Sequence, residues 1–146
     1  MTSQTPTHPL LLLVLTLASG AAWVSAQGGA LTPTTPRRGG NPVAARLANP
    51  VPPTEASVAA GRQTYRRLCA RCHGPAGQGD GGGAGAGGQP ADFTDDAWDF
   101  GGSDGEIFAA IKEGTSADME SYAERLADPE IWNLVNYLKT LKEPGR

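Results

Sequence analysis

Residues 69–73 read Cys-Ala-Arg-Cys-His, and this stretch decides what the rest of the chain folds around. Two cysteines three positions apart at the end of a helix can each bond one vinyl-derived carbon of the same porphyrin. The histidine that follows can then donate a ring nitrogen to the iron. The spacing therefore predicts one covalent haem c attached through Cys69 and Cys72, with His73 as an axial ligand.

Other kinds of site use the same pair of cysteines. An exported Cys-x-x-Cys can be a disulfide or a thioredoxin-type redox pair, but the latter needs a βαβ context. A structural zinc site needs four ligands, whereas the chain after residue 26 offers only Cys69, Cys72 and His73 among its cysteines and histidines. One carboxylate could complete a set of four zinc ligands, but haem attachment accounts for both cysteines and the histidine.

The composition of the chain limits which residues could be the second axial ligand. The chain has two histidines and two methionines, and His8 and Met1 both precede residue 27. If that segment is removed, His73 and Met119 are the only histidine and methionine left, which excludes bis-histidine ligation within one chain. Met119 lies in a polar stretch outside any predicted helix. A core-filling or surface methionine is the alternative, but the position favours a thioether ligand.

Three helices are predicted around the motif, because apolar positions recur at spacings of three and four. Thr54 can cap the first helix, and Ser103 with Glu106 forms a capping box at the start of the second. Asp128 is the expected cap of the third, and Pro129 suits its first position. The helices are predicted over residues 55–71, 104–113 and 129–142. Because no stretch alternates with a period of two, the fold class is all-α with long loops.

The chain divides into three segments. Residues 1–26 are predicted to be a signal peptide, because the apolar run 10–22 is too short for a membrane span and leads to a small-residue cleavage pattern. An uncleaved membrane anchor is the alternative, since no Lys or Arg precedes the run. Residues 27–53 are rich in Gly, Pro and Thr and are predicted to be a flexible tether. Residues 54–146 form the folded domain.

The net charge also differs between the predicted tether and the folded domain. Residues 54–146 hold all 15 Asp and Glu but only 9 of the 12 Lys and Arg, so the domain is acidic and the tether basic. With a net charge of −3, the chain has no basic field to attract nucleic acid. Four arginines crowd the first helix beside the motif and form either a solvated face or a docking surface for an acidic partner. They are Arg62, Arg66, Arg67 and Arg71.

Two polar stretches suggest other binding functions, for phosphate and for calcium. Residues 74–90 hold nine glycines, but no strand precedes them and no Gly-Lys-Ser/Thr follows, so a mobile loop is favoured over a phosphate-binding loop. Four aspartates within residues 92–99 could bind calcium, but they lack the spacing of an EF-hand loop. A solvated acidic surface is the simpler interpretation.

From about Ala48 to Leu141 the chain resembles the class I c-type cytochromes, in particular the short single-haem domains of bacterial exported electron carriers. The resemblance covers the whole folded domain and rests on the haem motif together with a downstream methionine and an aromatic closing helix. The matching positions are Gly61, Tyr65, Cys69, Cys72, His73-Gly74, Gly77-Gln78-Gly79-Asp80-Gly81, Pro90-Ala91-Asp92-Phe93, Ser103-Asp104-Gly105-Glu106, Gly114, Met119 and Trp132 through Leu138.

The resemblance implies a small cytochrome c fold, with three main helices and long loops around one haem. The first and last helices would cross near their midpoints, where Gly61 lets the backbones approach. Tyr65, Leu134 and Tyr137 would pack at that crossing, which agrees with a plain reading of these residues as core.

The resemblance also implies roles in the site. Cys69 and Cys72 would hold the haem, His73 would be the proximal ligand and Met119 the distal one. A proline carbonyl, from Pro90 or failing that Pro75, would fix the histidine ring. Relatives commonly have Met-Pro, whereas this chain has Met119-Glu120, which removes a stiffening proline and adds a carboxylate that should lower the reduction potential.

The implied function is that of a periplasmic electron carrier and not an enzyme, soluble after signal cleavage. His/Met ligation fills both axial positions and tends to raise the reduction potential. Expected partners are a dehydrogenase, reductase or oxidase, and an uncleaved N-terminal segment would add membrane association. Two alternatives stay open. The domain is a haem subunit or module of a larger oxidoreductase complex, or, if Met119 does not bind, a ligand-binding or peroxidase-like haem protein.

Overall fold

Helices are the regular structure of this protein, seen in a computed structural model that describes Met1, residues 36–83 and residues 88–142. The α-helices are α1 (Glu55–Leu68), α2 (Ala70–His73), α3 (Asp104–Glu113) and α4 (Asp128–Lys139), and a 3-10 helix covers Ala44–Arg46. The described ranges contain no strand, so the predicted all-α class is confirmed. None of the helices in these ranges is long and apolar enough to cross a membrane. The predicted signal peptide, residues 1–26, lies outside the described residues apart from Met1.

The helix starts follow the predicted caps with one exception. The Thr54 hydroxyl accepts a hydrogen bond from the Ser57 amide at 3.2 Å and caps α1. At α3 the Ser103 hydroxyl accepts from the Glu106 amide at 3.3 Å, and the Glu106 carboxylate accepts from the Ser103 amide at 3.1 Å. Helix α4 begins one residue earlier than predicted, because Asp128 is its first residue and Ala127 precedes it as the cap.

The α1–α4 crossing holds the fold together. Gly61 sits where the two backbones meet, and a β-carbon there would lie 2.1 Å from the Asn133 carbonyl oxygen. The rings of Tyr65 and Tyr137 pack beside it with centroids 5.2 Å apart, and Leu134 is fully buried. The crossing and its three predicted contact residues are as expected. Burying each large side chain contributes about 1.5–3 kcal/mol.

Helix α3 closes the other side of the core against α4. The Phe108 and Trp132 rings stack with centroids 3.9 Å apart, and Ile107 and Ile111 are buried on the same helix. Phe108 therefore joins α3 to α4, while Ile107 and Ile111 of the same stripe line a cavity beside the core.

The first predicted helix is two helices. Cys69 interrupts it with φ −110°, and the amides of Cys72 and His73 both bond to the Cys69 carbonyl, at 3.0 and 2.9 Å. This turn starts the short helix α2, which ends at Gly74 with φ 78°. The break is local to the motif, which is why the periodicity of the flanking residues did not reveal it.

The predicted tether differs from the structure over its described part, residues 36–53. The Asn41 amide donates to the Glu106 carboxylate at 2.8 Å, and the Asn49 side-chain amide donates to Asn136 Oδ1 at 2.8 Å. This part therefore packs on α3 and α4 as a component of the folded domain, and the prediction of a flexible tether is wrong for it. Leu47 and Val51 also pack against the core, but they follow no helical or strand spacing, so a scan for apolar periodicity gives no signal.

Candidate functional site

One cavity of about 680 Å³ brings together all four predicted site residues. Helix α2 and its preceding turn contribute Cys69, Cys72 and His73, and the loop after α3 contributes Met119. Met119 lies 46 positions after His73 in the sequence. These side chains therefore meet because of the fold and not because of sequence proximity. The rest of the lining is largely apolar, including Leu68, Phe93, Trp98, Ile107, Ile111 and Leu138.

His73 is held in one ring orientation. Its Nδ1 lies 3.1 Å from the Ala91 carbonyl oxygen, and its ring stacks on Phe93 with centroids 4.6 Å apart and an interplanar angle of 23°. Burial lowers the pKa of His73, and the hydrogen bond to Ala91 opposes that shift only in part. The imidazole is therefore neutral near pH 7, with Nδ1 engaged and Nε2 left for a metal.

The carbonyl that orients His73 is not the predicted one. Sequence analysis favoured Pro90, with Pro75 in reserve, but the acceptor belongs to Ala91. Pro90 is the preceding residue, and its own carbonyl oxygen lies close to Gly79 instead. A one-residue shift reverses the direction of a carbonyl in an extended chain, and sequence alone does not determine that register.

The two cysteines are free thiols, each partly buried at the cavity wall. Cys72 Sγ lies 3.2 Å from the Gly83 carbonyl oxygen and donates to it. Burial, reinforced by the neighbouring Cys72, raises the pKa of the Cys69 thiol to about 12. No three His, Cys, Asp or Glu side chains converge as a metal site in the described ranges. The geometry therefore does not favour the zinc alternative.

The glycine-rich loop is an ordered support for the motif over its described part, residues 74–83. Alternate amides of the loop donate to successive carbonyls of the motif. The bonds are Gly79 to His73 at 2.9 Å, Gly81 to Cys72 at 3.1 Å and Gly83 to Arg71 at 2.9 Å. A β-carbon at Gly81 would lie 2.4 Å from the Arg71 carbonyl oxygen. The prediction of a mobile loop is thus wrong here, because the glycines permit close backbone approach.

Two tyrosine hydroxyls tie the ends of α1 and α2. Tyr65 donates to the Gly74 carbonyl at 2.6 Å, and Tyr122 donates to the Leu68 carbonyl at 3.4 Å. Burial raises the pKa of both phenols, so both remain donors at neutral pH. Tyr122 lines the cavity and was missed by sequence analysis, because a single aromatic in a loop carries no periodic signal.

The carboxylate beside Met119 has a counter-charge. The Glu120 carboxylate lies 3.6 Å from the guanidinium of Arg125, which also packs over the Tyr122 ring at 4.8 Å. Both side chains are substantially exposed, so the pair is screened by solvent. Arg125 therefore partly neutralises the charge that Glu120 places beside Met119.

Arg38 is a cavity residue that sequence analysis did not find. It comes from the segment predicted as tether, and it is the only Lys or Arg lining the cavity among the described residues. Its guanidinium lies 2.8 Å from the Asp99 carboxylate and 5.7 Å from the Phe100 ring centroid. No local sequence signal marks this residue, because its partners lie about 60 positions away.

The four aspartates within residues 92–99 already have partners. Asp92 accepts from the Thr94 amide and hydroxyl at 2.8 and 2.7 Å, and Asp95 accepts from the Ala97 amide at 2.8 Å. Asp96 and Asp99 form ion pairs with Lys142 and Arg38. These carboxylates form turns and surface ion pairs, so the geometry does not favour the calcium alternative.

The cavity fits the prosthetic group that the motif implies. Its volume lies in the range of sites that enclose a small cofactor, and its lining combines apolar side chains with one imidazole and one thioether. Those are the donor types of His/Met haem centres, and the two thiols lie on the same wall. The residues present therefore suit a covalently attached, largely enclosed haem.

Comparison with known proteins points the same way. The profile of the family described as cytochrome c oxidase, cbb3-type, subunit III matches residues 56–138. A chain of the reducing HAO-like protein complex of Kuenenia stuttgartiensis is 33% identical with a TM-score of 0.60, over 68% of this chain and 49% of that chain. Cytochrome cL of the marine methylotrophic bacterium Methylophaga aminisulfidivorans shares the fold, with 21% identity and a TM-score of 0.52 over 60% of this chain and 57% of that one. The chain therefore spans about half the length of the first and less than two thirds of the second.

Proposed function

Because the chain belongs to the c-type cytochrome family described as cytochrome c oxidase, cbb3-type, subunit III, we propose that it is a periplasmic electron carrier with a single covalent haem c. Cys69 and Cys72 hold the haem, and His73 and Met119 are its axial ligands. Electron transfer is the role of this family. The single haem, the ligand pair and the location are the specific content of the proposal.

One observation carries the proposal. The only thioether of the chain after residue 26 lines the same cavity as the Cys-x-x-Cys-His motif, although 46 positions separate Met119 from His73. A methionine that merely fills the core would not need to meet the motif. The chain after residue 26 also has a single motif of this kind, which supports one haem per chain.

The chain's own residues determine how such a site works. When bound, the haem supplies a one-electron iron couple. The Ala91 carbonyl and the Phe93 ring hold His73 in one orientation, and burial keeps it neutral, so its position changes little between oxidation states. Apolar walls such as Ile107 and Ile111 exclude water, and a low-dielectric environment of this sort keeps the reorganisation on electron transfer small.

A second candidate is a haem module of a larger oxidoreductase complex. The observation that favours it is the likeness to a longer chain that belongs to a reducing HAO-like protein complex and is matched over 49% of its length. In that case the partner is a dehydrogenase, reductase or oxidase that stays bound during purification. A free carrier would instead purify alone, since transient redox contacts are small and weak.

The first experiment is the optical spectrum of the oxidised full chain, expressed with haem-attachment machinery. We expect the weak far-red iron–sulfur charge-transfer band, and we expect Met119→Ala to abolish it and to open the sixth position to imidazole. Glu120→Gln is the matched control, because it changes the neighbouring residue and should keep the band.

Each result distinguishes the alternatives. Covalent haem without the band in the wild-type protein would contradict His/Met ligation and favour a ligand-binding or peroxidase-like protein. Cell fractionation with N-terminal sequencing of the mature protein tests location, since cleavage after Ala26 would leave Gln27 as the first residue.

A further inference from the structure

The loop that carries Met119 is closed by hydrogen bonds within residues 115–119. The Ser116 hydroxyl accepts from the Met119 amide at 3.1 Å and from the Asp118 amide at 3.2 Å. In return, the Met119 carbonyl accepts from the Thr115 amide at 2.9 Å and from the Ser116 amide at 3.4 Å. Both backbone groups of the methionine are therefore bonded, and Ser116 takes part on each side.

The ends of this loop are anchored to α3 by other groups. The Ser121 hydroxyl donates to the Lys112 carbonyl at 2.6 Å, and the Tyr122 amide donates to the Ile111 carbonyl at 3.2 Å. At the near end, Gly114 has φ 76°, and a β-carbon there would lie 2.6 Å from the Met119 carbonyl oxygen. Removing the Ser116 hydroxyl therefore leaves the anchor points in place and frees only the stretch around Met119.

No proline follows Met119 to stiffen the backbone of this loop. Glu120 follows the methionine, whereas the cytochromes that the chain resembles commonly have proline there. Proline would restrict the backbone by its fixed φ. In its absence the backbone of this loop needs another restraint, and the Ser116 hydroxyl is the only side-chain group bonded to the Met119 backbone among the described residues.

We propose that Ser116 is the positioning residue for Met119, replacing by hydrogen bonding the stiffness that a following proline would give. The inference rests on the proposed ligation of haem iron by Met119. Ser116 itself lines the cavity, but its role is exerted through the backbone of the ligand. Without the hydroxyl, the thioether competes less well for the iron, and small ligands from solvent compete better.

The test is imidazole titration of the ferric holoprotein, followed through the iron–sulfur charge-transfer band, for wild type and Ser116→Ala. Loss of two backbone hydrogen bonds should lower the apparent dissociation constant of imidazole about tenfold. Ser116→Thr keeps a hydroxyl and should restore the wild-type value. Ser121→Ala removes the anchoring hydroxyl at the end of the loop, which does not contact Met119, and should lower the dissociation constant of imidazole much less than Ser116→Ala does.

The outcomes separate this inference from the proposed function. A wild-type band with equal imidazole affinity in wild type, Ser116→Ala and Ser121→Ala would overturn the role of Ser116 and leave Met119 as a ligand. Equal tightening in Ser116→Ala and Ser121→Ala would overturn it as well, because the effect would then be general loosening of the loop. A wild-type protein that lacks the band would overturn the ligation by Met119 and this inference with it.

Discussion

Single residues decide how closely the elements of this fold approach, and Gly61 is the clearest case. Its neighbour across the crossing is the Asn133 backbone, which cannot move aside as a flexible side chain would. The same close approach places Tyr65 so that its hydroxyl reaches the Gly74 carbonyl at the end of the haem motif. Packing at the crossing is therefore linked to the site.

Gly61→Ala should destabilise the protein by about 1–3 kcal/mol, because overpacking at this crossing forces the helices apart. The free energy of unfolding in urea measures this. Gly82→Ala is the control, since a β-carbon there would meet no atom within 4 Å. Equal effects of the two substitutions would mean that the close contact at Gly61 does not set the stability.

Local polar groups also orient the two proposed axial ligands. Ala91, and not the proline before it, accepts the bond from His73, and Ser116 bonds the Met119 amide. Both acceptors, a backbone carbonyl and a serine hydroxyl, are common groups in any protein. They orient these side chains only because the loops place them nearby. The residues next to them in the sequence do not mark them out from other carbonyls and hydroxyls.

At the scale of elements, the segment 36–53 joins α3 through a shared carboxylate. Glu106 accepts from the Asn41 amide, the Ser103 amide and the Ser103 hydroxyl, at 2.8, 3.1 and 2.7 Å. Partial burial alone would raise the pKa of Glu106, but these hydrogen bonds outweigh it and hold the pKa below its ordinary value of 4.5. The ionised form therefore stabilises both the cap and the docking of the segment.

This contribution should depend on pH in one direction. Because the folded-state pKa is depressed, the stabilisation is complete above about pH 4.5 and is lost as the pH falls through the folded-state value. Glu106→Gln should cost about 1.5–3 kcal/mol at pH 7, and its difference from wild type should shrink below pH 4.5. Urea unfolding at pH 7, 5 and 3.5 measures both numbers, with the exposed Glu124→Gln as control. A difference that stays constant over this range would show that the charge of Glu106 is not involved.

Over the whole molecule, charge is distributed unevenly. The domain is acidic, yet Arg62, Arg66, Arg67 and Arg71 form a basic face on α1 and α2. No ion pair to these arginines is found within residues 36–83 and 88–142. Arg67 directly precedes Leu68 in the sequence, and Leu68 and Cys69 line the cavity wall. An anionic partner should therefore be steered to the end of the molecule that holds the motif.

Arg66→Gln with Arg67→Gln should slow reduction by an anionic redox reagent several-fold at low ionic strength, and the difference should vanish near 1 M salt. Stopped-flow kinetics of the holoprotein measures the rate constants. The pair Arg37→Gln with Arg46→Gln removes the same charge from exposed positions elsewhere. If both pairs slow the reaction equally, net charge and not the α1 face controls the rate.

Much of this protein followed from its sequence, for identifiable reasons. Helix periodicity and caps are local, so α1, α3 and α4 were placed to within a few residues, and the all-α class followed from them. The motif is equally local, because covalent haem attachment needs its three side chains within five residues. The composition left one methionine as a candidate ligand, and the crossing at Gly61 followed from the resemblance to c-type cytochromes.

Only the tertiary structure decided the features made by backbone groups distant in sequence. The ordered glycine loop and the Ala91 acceptor depend on backbone hydrogen bonds that no side-chain pattern encodes. Residues 36–53, with Arg38 among them, are held by polar contacts to residues about 60 or more positions away. Every residue has an amide and a carbonyl, so sequence carries little information about which of them meet. Side-chain chemistry with fixed spacing is determined by the sequence, whereas the choice of backbone partners is determined by the fold.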